Sequence, residues 1–388
     1  MSAGRIPDGE RQRVLRRLRR VVVKVGSNVL AGAEGLRPAR VRALAADVAA
    51  LAAGGCQVVL VSSGAVAAGA GRLGGRKPGL AWRQAAAAVG QPQLMAAYAR
   101  AFARHDRGVA QVLLTHADLA DRRRHLNART TLRALLAMRL VPIVNENDTV
   151  SVEELAFGDN DALSALTAAL VEADLLVVLS DVAGVHSADP RVDPKAVRVP
   201  IARADDAALA AAAGPSRSGV GTGGMTSKLA AARTAAAAGI PTLIADGTRP
   251  HALARALDPA ADVGTLLVAD GDALRHRKHW IAHTLRPAGT LQLDAGAERA
   301  LAQGKRSLLP SGVRGIEGRF GVGDCVRCVG PDGREVARGL VAYAAADLDR
   351  IKGAHTRDIE RLLGWKGADE VIHRDDLVVV ADGARVRA

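Results

Sequence analysis

Only eight of the 53 basic residues are lysines, and two of those eight, Lys24 and Lys228, stand in glycine-flanked segments. Lys24 opens Lys24-Val25-Gly26-Ser27-Asn28. Lys228 closes Gly219-Val220-Gly221-Thr222-Gly223-Gly224-Met225-Thr226-Ser227-Lys228, which runs directly into a helical pattern over 229–238. Glycines let backbone N–H groups approach an anion closely, and a helix N-terminus adds a favourable dipole, so this second segment reads as a phosphate cradle without Walker A spacing. A cation in the first turn of a helix opposes the dipole. Lys228 makes sense there if it reaches a phosphate. Four more polar clusters follow the same theme: Ser62-Ser63-Gly64, Asn145-Glu146-Asn147-Asp148, Gly158-Asp159-Asn160-Asp161 and Ser180-Asp181. Each alone has a turn or capping explanation. Capping accounts for only one of the three polar residues before the helix expected over 162–172.

The elements that must position these residues are legible as well. Short β-branched runs at 21–25, 57–62, 109–114, 141–145 and 175–180 alternate with longer Ala-rich helical stretches, the signature of a parallel sheet covered by helices. Val41, Leu44, Val48 and Leu51 lie on one stripe of a helix expected over 37–53, with Pro38 near its start and Gly54-Gly55 at its end. Lys24 to Asn28, Ser62 to Gly64, Asn145 to Asp148 and Ser180-Asp181 fall at the C-terminal ends of the first, second, fourth and fifth of these strands, where open α/β sheets bind ligands. The expected fold is α/β, a mostly parallel sheet sandwiched by helices over 21–268. A basic extension, 1–20, precedes it, and a polar linker, 269–284, follows. After Pro287 short strands alternate with Gly and Pro turns, which predicts a small β-barrel-type domain over 285–388.

Several other motifs fail. GAGRLG at 69–74 matches G-x-G-x-x-G, but no acidic residue lies between Asp47 and Asp106 to bind a ribose. Gly304-Lys305 is followed by Arg instead of Ser or Thr, so it is no Walker A end. Cys325 and Cys328 form a CxxC without a second pair, and in a strand the two thiols would face opposite ways, which favours core packing. Three cysteines make no disulfide framework, and a reducing cytoplasm is the expected location. The Arg-rich start lacks an apolar run of signal-peptide length, because Lys24 interrupts it. The longest uncharged stretch, 48–71, is broken by Gly54, Gly55, Gln57 and Ser62 to Gly64, so no membrane association is expected. The formal net charge of +13 is spread thinly: residues 285–388 hold 17 basic against 15 acidic side chains, so any RNA affinity of that segment is expected to be weak.

VVVKVGSNVL, VSSGAVAAG, LLTHADLADRRRHLNARTTL, PIVNENDTV, FGDNDALSA, LSDVAGVHSADP and GTGGMTSK stand in this order in the chain, which resembles the glutamate 5-kinases, a branch of the amino acid kinase family. SLLPSGVRGIEGRFGVGDCVRCVGPDGREVARGLVAY resembles a PUA domain. The resemblance implies ATP-dependent phosphorylation of the L-glutamate γ-carboxylate, the first step of proline biosynthesis. The alternatives are a kinase for another small carboxylate, or an RNA-binding protein with a vestigial kinase domain. By position, Lys24 and Lys228 would contact ATP phosphates with Asp161 holding both ammonium groups. Ser63, Gly64, Asp148, Asn160 and Asn147 would bind glutamate. Gly26, Ser27, Ser180 and Asp181, with Thr222, Gly223, Gly224, Met225, Thr226, Ser227 and Lys228, would bind ATP. Asn147 and Asp159 stand near the substrate or the magnesium, which would bridge ATP oxygens with few protein ligands. Asn28 departs from the small hydroxyl residue usual after Gly-Ser, though its amide could still donate to phosphate. The resemblance also implies a homodimer or tetramer and feedback inhibition by proline.

Overall fold

The computed structural model describes residues 9–16, 18–32, 35–75, 79–151, 160–190, 192–212, 224–269, 287–303, 306–365 and 367–380. The chain forms two compact units, built mainly on residues 1–271 and 272–388. From residue 270 onward the expected linker lies outside the described residues.

The first unit is organised by an eight-stranded sheet. Its strands are β1 (Arg20–Val25), β2 (Gln57–Ser62), β3 (Val109–Leu114), β4 (Val141–Glu146), β5 (Leu175–Ser180), β6 (Ile201–Arg203), β7 (Thr242–Asp246) and β8 (Thr265–Val268). They lie in the order β3-β4-β2-β1-β5-β7-β8-β6. The first six in that order are mutually parallel, whereas β8 runs antiparallel to β7 and carries β6 parallel beside it. The five strands expected from sequence are present, and β6, β7 and β8 extend the sheet beyond them.

The central strands are almost continuously apolar because both faces are covered. On one face lie α1 (Pro38–Ala53), α3 (Leu80–Phe102) and α7 (Ala252–Leu257), whose Val41, Leu44, Val48, Leu94, Phe102 and Leu253 pack on Val21, Val23 and Leu60. On the other lie α4 (Arg122–Ala137), α5 (Asn160–Val171) and α6 (Met225–Ala237), whose Leu132, Leu163, Ala168, Leu229 and Ala232 pack on Val22, Val59 and Leu176. Between β2 and α3, helix α2 (Ala65–Arg72) crosses α3 closely. A Cβ on Gly69 would fall 1.8 Å from the Ala86 carbonyl oxygen, and one on Gly90 would fall 1.9 Å from that of Ala65. The GAGRLG match is therefore a helix crossing: its first glycine removes a side chain so that two helices can meet.

The N-terminal extension contributes a short helix, Glu10–Leu15, whose Leu15 joins the core of the first unit.

The second unit contains a five-stranded mixed sheet, β9 (Gly289–Leu293), β10 (Val313–Gly318), β11 (Cys325–Val329), β12 (Glu335–Leu340) and β13 (Leu377–Val379), in the order β10-β9-β11-β12-β13. Its core gathers Leu291, Val313, Phe320, Val326, Tyr343 and Ile359. Cys325 and Cys328 are both buried thiols on β11, in keeping with a packing role. Burial pushes the Cys328 thiol well above its usual range.

Candidate active site

Strand β1 carries a lysine among valines. Side chains alternate along a strand, so Lys24 shares the face of Val22, the face covered by α5 and α6. A buried cation requires a partner. Asp161, fully buried in the first turn of α5, pairs with Lys24 Nζ through Oδ1. The other carboxylate oxygen, Oδ2, lies 3.2 Å from Lys228 Nζ and 2.9 Å from Ser227 Oγ. Both lysines are only 4% exposed. Three formal charges thus leave one net positive charge at the rim. The α5 dipole favours Asp161 in its first turn, whereas the α6 dipole disfavours Lys228 in its own. Helix stability does not ask for that lysine, and Asp161 is the partner that compensates it.

The rim itself is made by strand ends. The Gly26 N–H donates to the Leu179 carbonyl at 3.0 Å and the Ser63 N–H to that of Val25 at 3.1 Å, which locks the exits of β1, β2 and β5 together. Ser27 begins a short helix, Ser27–Leu30. Asn28 Nδ2 donates to Asp181 Oδ2 at 2.9 Å, and Ser180 Oγ lies 3.1 Å from Asp181 Oδ1. Burial raises the Asp181 carboxyl, but the bonds from Asn28, its own backbone and Ser180, with the charge of Lys228, hold it below its ordinary value. The Asn28 amide ties the helix that follows β1 to the end of β5 through Asp181, and its second N–H is a further donor that such an amide carries. Gly224 precedes α6, and Met225, Thr226, Ser227 and Lys228 form its first turn, so the helix starts four residues earlier than expected. Thr222 and Gly223 lie outside the described residues, as do Gly158 and Asp159.

On the opposite side of the lysines stand the residues expected to hold substrate. Gly64 has φ +114°, a conformation that strains any residue with a Cβ, and it turns the chain from β2 into α2. Asn160 and Asp161 are the first residues of α5 and not its preceding caps, because both side chains point inward to partners. Asn160 Nδ2 donates to Ser63 Oγ at 2.9 Å and to Asn145 Oδ1 at 2.9 Å. Asp148 is pushed up to about 6 by burial and by the neighbouring Glu146, against the pull of Arg83. Asn147 spends its Oδ1 on the Thr149 hydroxyl, 2.6 Å away, inside a local turn.

Sequence reasoning missed the layer behind these residues. Gln84, Gln91 and Tyr98 project from α3 toward Ser151, Asn145 and Ser62. They sit in an Ala-rich helix with no motif around them, and their seven-residue spacing was the one available signal.

The amino acid kinase family model matches residues 19–246, and the PUA domain model matches residues 289–363. The chain is 51% identical to the glutamate 5-kinase of Geobacter sulfurreducens, over 95% of this chain and 100% of that one. It is 52% identical to the glutamate 5-kinase of Meiothermus ruber, over 94% and 96% respectively. The chain belongs to the amino acid kinase family, in its glutamate 5-kinase branch. Membership in a kinase family entails a nucleotide donor. Among the described residues no helix is long and apolar enough to cross a membrane.

Proposed function

We propose that this enzyme transfers the γ-phosphoryl group of ATP to the γ-carboxylate of L-glutamate, yielding γ-glutamyl 5-phosphate for proline biosynthesis. The observation that carries the reading is the buried Lys24-Asp161-Lys228 cluster at the strand ends, in a chain half identical to glutamate 5-kinases over nearly its whole length. A carboxylate is already ionised near neutral pH, so the reaction needs no general base. Its obstacle is the approach of two anions. Catalysis then consists of positioning and electrostatic stabilisation. Lys24 and Lys228 neutralise the charge that builds on the transferred group, and Asp161 keeps their ammonium groups in place before substrate arrives. Gly26, Ser27, Ser180, Asp181 and the Thr222 to Lys228 loop hold ATP. Backbone donors after Gly64, at the N-terminus of α2, suit a substrate carboxylate. Asp148 and Asn160 Oδ1 are acceptors and suit the α-ammonium.

Among the described residues no cluster of three or more His, Cys, Asp or Glu side chains could cage a metal. Magnesium belongs to the same reading as the partner of ATP, where it would supply additional charge neutralisation, with Asn147 and Asp159 as the side chains that would hold it. Assembly as a homodimer or tetramer and feedback inhibition by proline belong to the same reading. The PUA match supports RNA contact, and the near-neutral charge of 285–388 supports weak, salt-sensitive affinity.

The deciding measurement is ADP release by the purified protein with ATP, magnesium and each of glutamate, N-acetylglutamate, aspartate and carbamate. Turnover with glutamate well above the others is expected. Equal or greater turnover with N-acetylglutamate or aspartate would sink the assignment.

A further inference from the structure

Helix α3 presents Gln84, Gln91 and Tyr98 at intervals of seven residues, two helical turns to within about 20°, so all three occupy one face. Each meets a different segment at or after a strand end. Gln84 Nε2 donates to the Ser151 carbonyl at 3.1 Å, Asn145 Nδ2 donates to Gln91 Oε1 at 2.9 Å, and the Tyr98 hydroxyl lies 2.8 Å from Ser62 Oγ. The same helix crosses α2 closely at Gly69 and Gly90, and Gly90 is the immediate neighbour of Gln91.

Gln91 is the middle member of a chain of side-chain amides. Gln91 Nε2 donates to Gln111 Oε1 at 3.2 Å, Asn145 Nδ2 donates to Gln91 Oε1, and Asn160 Nδ2 donates to Asn145 Oδ1 at 2.9 Å. An amide has one donating and one accepting end, so the direction of one bond dictates the rest. Two backbone groups, which cannot be reversed, set that direction. The Glu146 N–H donates to Asn145 Oδ1 at 2.9 Å, and the Ser62 carbonyl accepts from Asn160 Nδ2 at 3.3 Å. The Asn160 amide nitrogen is thereby committed inward. Its Oδ1 is buried and has no hydrogen-bond partner among the described residues. A buried acceptor without a donor is costly, and a ligand that brings a donor relieves it.

We propose that Gln91 is a positioning residue for acceptor specificity: through Asn145 it holds Asn160 with Oδ1 turned to the substrate, and so selects a dicarboxylate that carries an ammonium group over one that does not. The proposal rests on the glutamate kinase reading. With leucine at position 91, Asn145 Nδ2 is buried without its acceptor, its amide swings toward another, and Asn160 loses the partner that holds it.

The test compares L-glutamate with glutarate, which has the same two carboxylates and no ammonium. The full-length wild type, Gln91→Leu and Gln91→Glu are assayed for the KM of glutamate, the KM of ATP and the inhibition constant of glutarate against glutamate. Gln91→Leu is expected to raise the glutamate KM about tenfold, while glutarate inhibition and the ATP KM stay within about twofold. Gln91→Glu, whose carboxylate still accepts from Asn145 Nδ2, is expected to recover most of the glutamate KM. Equal weakening of glutamate and glutarate, or no recovery in Gln91→Glu, would overturn the proposal and leave Gln91 a packing residue. A wild type without glutamate-dependent turnover would overturn the kinase reading itself. If Gln91→Leu does not fold, Gln111→Leu probes the same chain from its exposed end. A glutamate KM raised about threefold with glutarate unchanged supports the relay, and an unchanged glutamate KM overturns it.

Discussion

Lys228 Nζ lies 3.2 Å from Asp161 Oδ2, a contact that ties the first turn of α6 to the first turn of α5 at the rim of the sheet. The same carboxylate serves Lys24 from the middle of β1. Two lysines far apart in the chain are thus preorganised by one acid.

Removing either cation should therefore cost catalysis more than binding. Lys24→Ala and Lys228→Ala are each expected to lower kcat by about 10²- to 10³-fold, the usual loss when a preorganised transition-state donor is deleted. Steady-state kinetics check this, and a near-normal kcat in Lys228→Ala would reduce the glycine loop to a lid.

Asp161→Ala should do more than lower kcat. It leaves two buried ammonium groups without their shared partner, a change expected to cost about 3–5 kcal/mol of stability. Thermal and urea denaturation of the variant beside Lys24→Ala separates the two effects. A variant as stable as the wild type would contradict the burial argument.

Asp148 gives the glutamate KM a pH dependence with a definite sign. Its carboxyl, ordinarily near 3.8, is pushed up to about 6, first by burial and then by Glu146. The anion suits an ammonium and the neutral acid does not, so the glutamate KM should rise as pH falls through about 6, while the ATP KM stays level. Asp148→Asn should raise the KM at neutral pH and flatten this profile. Between the ordinary value and about 6 the folded protein binds a proton that the unfolded chain releases. This group's contribution to stability accordingly falls as pH rises across that window. Asp148→Asn should then melt above the wild type at pH 7, and a lower melting temperature would speak against the raised carboxyl.

Asn28 should matter to ATP and not to glutamate. Its amide is the first of the groups that hold the Asp181 carboxylate, at 2.9 Å. Asn28→Ala is expected to raise the ATP KM about threefold to tenfold. Product-release assays at saturating glutamate read the change, and an effect on the glutamate KM instead would misplace Asp181.

The glycine crossing predicts a stability defect. Gly90→Ala would push a Cβ to 1.9 Å from the Ala65 carbonyl oxygen, where only backbone can give way. Overpacking of this kind costs about 1–3 kcal/mol or more. A melting temperature at or above that of the wild type would show that α2 and α3 can separate without penalty.

Much of this site was legible in one dimension. Strands β1, β2, β4 and β5 announce themselves because a strand buried on both faces must be a run of apolar residues, and the chain must then turn with Gly, Ser, Asn or Asp at its end. Strand β3, at the sheet edge, carries the exposed Gln111 within its apolar run. Lys24 and Lys228 stand out because a lysine is misplaced in a buried strand or in the first turn of a helix unless a ligand or an acid compensates it. Those are local rules, and sequence alone determined the strand ends and the family. Strands β6 to β8 were harder, since short runs flanked by Ala-rich helices carry little periodicity. Tertiary structure alone decided which atoms meet. Asp161 Oδ1 and Oδ2 are divided between lysines of different elements, the Asn28 amide donates to Asp181, and GAGRLG is a helix crossing. Gln91 of α3 meets Asn145 of β4 although 54 residues separate them in the chain. A hydrogen bond is a matter of tenths of an ångström between groups brought together by sheet order and helix packing, and residue spacing along the chain carries no measure of either.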